Sequence, residues 1–179
     1  PGQTYCALCE AGTHASVDRT ICDPCSNGTV SSSGVDVCSE CDAGTFPNDA
    51  RTACRECRAG QFQVASDCSS CPVGWLTRTS GLAACQQCPR GFASKSEGAS
   101  SCGQCLLGRF VNVEAATACE KCPERGVECR ESGVAEIEKG FWHAQFSNFQ
   151  LRESTALYEC VGEDTCVRNA DFTNVTCDT

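Results

Sequence analysis

The sequence contains no methionine, two histidines, three lysines and twelve aromatic residues in 179 positions. Leu, Ile, Val and Phe together number 30, about 17% of the chain. That is below the roughly 20% under which a charged chain cannot rely on apolar burial alone. One large apolar core is therefore excluded, and covalent staples must replace much of it. No apolar run reaches the roughly 18 residues of a membrane-spanning helix. No charged-then-apolar leader is visible, and the start at Pro1 reads as a processed or excised piece. The net charge is −9, and no basic run interrupts it. Such a chain is a poor ligand for nucleic acid or anionic lipid. Its acidity reads as solubility. Catalytic signatures are missing too: there is no Gly-x-Ser-x-Gly, phosphate loop or His-Glu-x-x-His.

Cysteine is abundant instead. Twenty cysteines make about 11% of the chain, above the roughly 8–10% that marks a disulfide scaffold. Sixteen of them form eight Cys-x-x-Cys pairs, from Cys6/Cys9 to Cys119/Cys122, with steps of 16, 16, 16, 14, 17, 17 and 17 residues between first cysteines. A glycine follows three residues after the second cysteine of the first seven pairs: Gly12, Gly28, Gly44, Gly60, Gly74, Gly91 and Gly108. An apolar residue then comes within two positions (Val30, Phe46, Phe62, Trp75, Phe92, Phe110), with His14 in that slot in the first repeat. After Cys122 the glycine comes one place late, at Gly126, and Cys129 comes early, so the sequence repeat ends near residue 122.

The expected fold is a small disulfide-rich, irregular β structure. Residues 1–122 read as an elongated rod of tandem repeats of about 16 residues, each a loop or two-strand hairpin with an aromatic packed on sulfur. Residues 123–179 read as a C-terminal cysteine-containing module with its own aromatic cluster, since six of the twelve aromatics lie there.

Three chemistries compete for the cysteines. Pairs of Cys-x-x-Cys can close four-cysteine zinc sites, but zinc would impose a two-step period that the repeat lacks. Thioredoxin-like redox chemistry needs a βαβ setting that is absent. A disulfide ladder suits an even cysteine count in a core-poor, Ser/Thr/Gly-rich chain. A bridge inside Cys-x-x-Cys makes a strained, easily reduced ring. Joining the second cysteine of one pair to the first of the next closes similar loops every time. The expected bonds are Cys9–Cys22, Cys25–Cys38, Cys41–Cys54, Cys57–Cys68, Cys71–Cys85, Cys88–Cys102 and Cys105–Cys119, completed by Cys122–Cys129 and Cys160–Cys166. Cys6 and Cys177 are left over, and their partners are expected outside this segment.

Other candidate sites are few. Asn27 and Asn174 head N-x-T sequons and are candidate glycosylation sites. Phe141, Trp142, Phe146 and Phe149 form the aromatic patch expected to be either a small core or a contact surface. His14 reads as packed or exposed, and His143 as a rim residue. Asp36, Glu40, Asp42 and the pair at 163–164 lack calcium-loop spacing and read as solvated charges. No catalytic, cofactor-binding or metal-binding residue is assigned, and no enzyme activity is expected.

The run from Cys41 through Gly44 and Phe46 to Thr52 and Cys54 resembles the ephrin-receptor-like cysteine-rich repeat. More distantly, it is similar to the first module of tumour-necrosis-factor-receptor cysteine-rich domains. The segment Glu138 to Trp142, followed by Tyr158, Cys160 and Cys166, resembles an element that follows such repeats in large extracellular proteins of algae and other protists. His143 stands where those proteins carry arginine. The resemblance implies an elongated, disulfide-bonded extracellular segment of a multi-domain surface protein. The leading expectation is a structural spacer in a surface filament, stalk or matrix assembly, with protein partners or self-assembly. The alternatives are a receptor ectodomain binding a protein ligand, for which Arg55 and Arg58 near Phe62 mark the candidate repeat, and, third, a zinc-binding array.

Overall fold

The structure, a computed structural model, describes residues 8–143 and 150–160, and the backbone of the strands Cys166–Arg168 and Val175–Cys177. Among these residues the chain forms twenty strands of two to four residues and no helix. Consecutive strands pair as two-stranded sheets. The expected disulfide-rich, irregular β class is what is observed. No helix among the described residues is long and apolar enough to cross a membrane.

The chain divides into two compact units, Pro1–Gln86 with Glu97–Ser101, and Gln87–Ser96 with Cys102–Thr179. The first holds the hairpins β1 (Thr13–Ala15) with β2 (Cys22–Pro24), β3 (Thr29–Val30) with β4 (Ser39–Glu40), β5 (Thr45–Pro47) with β6 (Cys54–Glu56), and β7 (Gln61–Val64) with β8 (Asp67–Ser70). Strands β9 (Trp75–Leu76) and β10 (Gln86–Gln87) follow. The second unit holds β11 (Phe92–Ala93) with β12 (Gly103–Gln104), β13 (Arg109–Phe110) with β14 (Glu120–Lys121), β15 (Val127–Cys129) with β16 (Ala135–Ile137), and β17 (Phe141–Trp142) with β18 (Tyr158–Glu159). In its last hairpin, β19 (Cys166–Arg168) runs antiparallel to β20 (Val175–Cys177), with Cys166 opposite Cys177 in register.

One local grammar builds every repeat. After the second cysteine the chain makes a turn whose third residue is the glycine. The Gln61 N–H closes such a turn on the Arg58 carbonyl at 2.9 Å, with Gly60 at φ +84°. A turn with positive φ at its third residue is the type II kind, which only glycine adopts readily. The hairpin then runs out and back. It is closed when the N–H of the next second cysteine donates to the glycine carbonyl: Cys25 to Gly12 at 2.9 Å, Cys57 to Gly44 at 3.0 Å, Cys105 to Gly91 at 2.8 Å. This closure continues beyond residue 122. Glu138 N–H donates to the Gly126 carbonyl at 2.9 Å, and Cys160 N–H to the Gly140 carbonyl at 2.8 Å. Glu138 thus takes the place of a second cysteine, because the bond uses backbone atoms and needs no sulfur.

The core is built largely of sulfur. The second cysteines Cys9, Cys25, Cys57, Cys71, Cys88 and Cys105 are buried, whereas the first cysteines from Cys22 to Cys119 are partly or fully exposed. Two apolar clusters lie in the second unit. One joins Phe110, Val127, Ala135 and Leu151, with Cys122 and Cys129 packed against it. The other joins Cys105, Val111 and Ala116. The expected aromatic beside sulfur is represented here by a cluster that contains Phe110 and has Cys122 and Cys129 packed against it. In the fifth repeat the buried apolar side chain is Leu76, while Trp75 is only partly buried.

Candidate functional site

The recurring chemistry of this chain lies at the joints between repeats. In the first unit the Gly12 N–H donates to the Ser31 carbonyl at 3.0 Å, and the Gly60 N–H to the Thr77 carbonyl at 2.9 Å. Ser31 and Thr77 donate their own N–H onward to the carbonyls of Arg51 and Ala99, at 3.0 and 3.2 Å. A return bond runs from the turn of the following repeat to the second cysteine: Gly34 to Cys9, Gly81 to Cys57 and Gly98 to Cys71, at 2.8 to 2.9 Å. In the second unit the same bonds join Gly91 to Val111, Val111 to Gly133, and Ala115 to Cys88. Within each unit, successive repeats are thus stitched together through backbone bonds at these joints. The residue three after the glycine accepts and donates at the seam, and it is buried in Ser31, Thr77, Ser94 and Val111. Ser31 and Thr77 add a hydroxyl that accepts a second bond from the same glycine N–H, at 2.9 and 2.7 Å.

Side chains imitate the backbone at other joints. The fourth repeat is itself a step of 14 residues, from Cys54 to Cys68, rather than 16 or 17. There Gln63 Oε1 accepts from the Gly44 N–H at 2.8 Å while Nε2 donates to the Thr45 carbonyl at 2.6 Å. A carboxamide thus stands in for a peptide group. Asn112 does the same in the second unit, donating to the Ala135 carbonyl at 2.7 Å and accepting from the Ala135 N–H at 2.9 Å. In the third repeat, Arg51 Nη1 reaches the Cys25 carbonyl in place of a turn N–H. Replacing Gln63 by alanine leaves the Gly44 N–H and Thr45 carbonyl without these partners. The expected cost is about 1–3 kcal/mol. Chemical denaturation of the oxidised protein measures it, and an unchanged midpoint contradicts the assigned role.

All seven expected repeat disulfides are present, from Cys9–Cys22 to Cys105–Cys119, with Cα separations of 5.6 to 5.8 Å. Cys122–Cys129 is present as well. Cys160 is disulfide-bonded, while its expected partner Cys166 is described by backbone alone. Cys6 and Asn174 lie outside the described residues, as do Phe146 and Phe149. Cys177 is described only as a strand residue.

His14, Cys25 and Cys38 bring their ligand atoms within 4.8 Å of one another. The two sulfurs are bonded to each other, so neither is a thiolate able to hold a metal. His14 Nδ1 lies 3.5 Å from Cys38 Sγ, which puts the imidazole where other repeats place an apolar side chain. His143 is not a rim residue: it is buried at 4% exposure. Phe141 and Trp142 are both partly buried. The Trp142 ring packs on Tyr158 with centroids 5.3 Å apart, and the Phe141 ring covers Gly126. Arg55 and Arg58 are exposed, but Arg55 sits opposite Phe46 in register rather than beside Phe62. Asp36 pairs with Arg19 at 3.7 Å across exposed side chains. Hydrogen bonds from the Ser16 hydroxyl and from Thr20 hold the Asp18 carboxyl below its usual range, ordering the tip of the first hairpin.

The sequence reading missed the seam residues three after each glycine. Their side chains vary from Ser to Gln to Val because most of the bonding is done by the backbone. Set against known proteins, the chain matches no family model and no curated sequence. Its many intrachain disulfides are typical of a cysteine-rich module from an oxidising, extracellular-type compartment.

Proposed function

We propose that this chain is a non-enzymatic spacer segment of an extracellular surface or matrix assembly, built from repeats of the ephrin-receptor-like kind. The observation that carries the reading is the recurrence of one seam. The same glycine-to-carbonyl bond joins repeats at Gly12, Gly60 and Gly91, and the same sulfur bridge closes each loop. Such a segment fixes spacing by covalent loops and backbone stitching instead of a large core. It keeps its shape where reductant is absent and falls apart where thiols are free. Its work is geometric, and its partners are neighbouring protein segments or further copies in the assembly.

A second reading, an ectodomain that binds a protein ligand along its flank, is favoured by one observation. Leu106 and Leu107 are 77% and 81% exposed in the turn of the seventh repeat. Other repeats place Glu, Ser, Asn, Asp, Arg, Ala, Pro and, once, Val at these two positions, and none pairs two large aliphatic side chains there. Antibody labelling and imaging of native surface material separates the two readings. The expected result is this chain at regular intervals in a polymer. A soluble chain with one tight protein ligand, lost in the L106S/L107S variant, establishes the second reading instead. Resistance of the native protein to thiol alkylation in denaturant is expected under both.

A further inference from the structure

We infer that Asn27 carries an N-linked oligosaccharide, attached through its side-chain Nδ2 in a eukaryotic secretory pathway. The inference rests on the extracellular reading above. Asn27, Gly28 and Thr29 form an N-x-T acceptor sequence, and the folded chain places it suitably. Asn27 is exposed, at the second position of the turn that Thr29 closes by donating its N–H to the Ser26 carbonyl at 3.2 Å. At the matching position the other six glycine-marked repeats place Ala, Val, Arg or Leu, so this turn alone offers a carboxamide to solvent.

The carboxamide is held by its oxygen. Arg51 Nη2 donates to Asn27 Oδ1 at 3.2 Å, and the other arm of the same guanidinium reaches the Cys25 carbonyl. Nδ2 has no hydrogen-bond partner among the described residues, so a substituent there breaks no contact. The joint beneath is also a loose one. A Cβ built on Gly28 meets only Ser66, at 3.6 Å, whereas at Gly12, Gly44, Gly60 and Gly91 it collides with a backbone carbonyl. The shortened fourth hairpin, which turns at Ala65 and Ser66, creates that room.

In the transfer, Asn27 Nδ2 attacks the anomeric carbon of a polyprenyl-diphosphate-linked oligosaccharide. A carbon–nitrogen bond forms and the anomeric carbon–oxygen bond breaks. The polyprenyl diphosphate leaves, and Nδ2 loses one proton to the transferase. Thr29 is read by the transferase in an extended chain, so attachment precedes closure of Cys25–Cys38, whose first cysteine lies two residues before the acceptor.

The test is secretion of the whole chain from a eukaryotic host, followed by peptide mass spectrometry before and after amide-cleaving glycosidase in heavy-oxygen water. The expected result is a glycopeptide spanning Asn27 that the enzyme converts to an isotope-labelled aspartyl peptide. A control without enzyme separates this from spontaneous loss of ammonia at Asn27-Gly28. N27Q removes the glycan, and so does T29V, which loses the hydroxyl bond to the Ser26 carbonyl but keeps the backbone N–H that closes the turn and leaves Asn27 in place. A secreted chain with its disulfides formed and Asn27 unmodified overturns the glycan assignment and leaves the extracellular reading standing. A chain retained in the cell with free thiols overturns both.

Discussion

Replacing Gly60 by alanine is expected to destabilise the oxidised protein by on the order of 3–5 kcal/mol, while the same change at Gly108 costs about 1–2 kcal/mol. The two glycines share a sequence position and a conformation, with φ of +84° and +79°. Both substitutions therefore force an L side chain into the left-handed region. They differ in what the new methyl group meets. At Gly60 a Cβ collides with the carbonyl of Gly98, a backbone group in the turn two repeats further on. That turn cannot yield freely, because Gly98 N–H is committed to the Cys71 carbonyl at 2.8 Å and the neighbouring Ala99 carbonyl accepts from Thr77. At Gly108 nothing lies within 4 Å. Strain from φ alone is thus common to both, and overpacking is added only at Gly60. Thermal melts of the two variants under oxidising conditions read the difference. Equal shifts would mean that the close approach between alternate repeats contributes nothing to stability. The larger figure is a sizeable share of the roughly 5–15 kcal/mol that holds an ordinary domain together.

That comparison also marks where the sequence speaks and where it is silent. The glycines and cysteines are legible because their roles depend on side-chain identity. A positive φ calls for glycine, and a bridge needs two sulfurs, so both leave a strict period. The bond pattern of the ladder followed from that period and from the strain of a bridge inside Cys-x-x-Cys. The seam did not follow, because a backbone carbonyl carries no letter of its own. Ser31, Thr77 and Val111 do the same work and share only small size and burial. The turns show the same ambiguity. Gly34, Gly81, Gly98 and Gly133 have positive φ, but so do Arg19, Arg51, Ala65 and Ala115. The surrounding bonds over-determine these turns, so a residue that disfavours the conformation is tolerated. The continuation of the hairpins past residue 122 was hidden for a related reason: Glu138 keeps the backbone bond and drops the sulfur. Among the candidate sites, Asn27 was visible as three letters. Its exposure and its tie to Arg51, 24 residues away, needed the fold.

Removing the Cys71–Cys85 bridge as the paired alanine variant is the second large effect, expected at about 4–5 kcal/mol, against about 3 kcal/mol for the paired alanine variant of Cys41 and Cys54. The loops are nearly equal, with separations of 14 and 13 residues. The chain-entropy contribution, about 3 kcal/mol for a loop of this size, is therefore the same in both. Burial separates them. Cys71 is 0% exposed, and its sulfur lies 3.9 Å from the Thr77 hydroxyl that serves the Gly60 seam. Cys41 is only partly buried. Losing the Cys71 sulfur opens a void beside the seam, and the cavity adds to the entropic loss. The readout has two parts: a denaturation midpoint for each variant, and hydrogen exchange at the Gly60 and Gly98 amides. These amides are bonded to Thr77 and Cys71, so the Cys71/Cys85 variant should lose their protection and the Cys41/Cys54 variant should keep it. If both variants lose the same stability and leave both amides protected, the sulfurs act only as tethers on the unfolded chain. If the amides open in the first alone, the sulfur is also the packing element that keeps one repeat seated on the next, as a chain with so few large apolar residues requires.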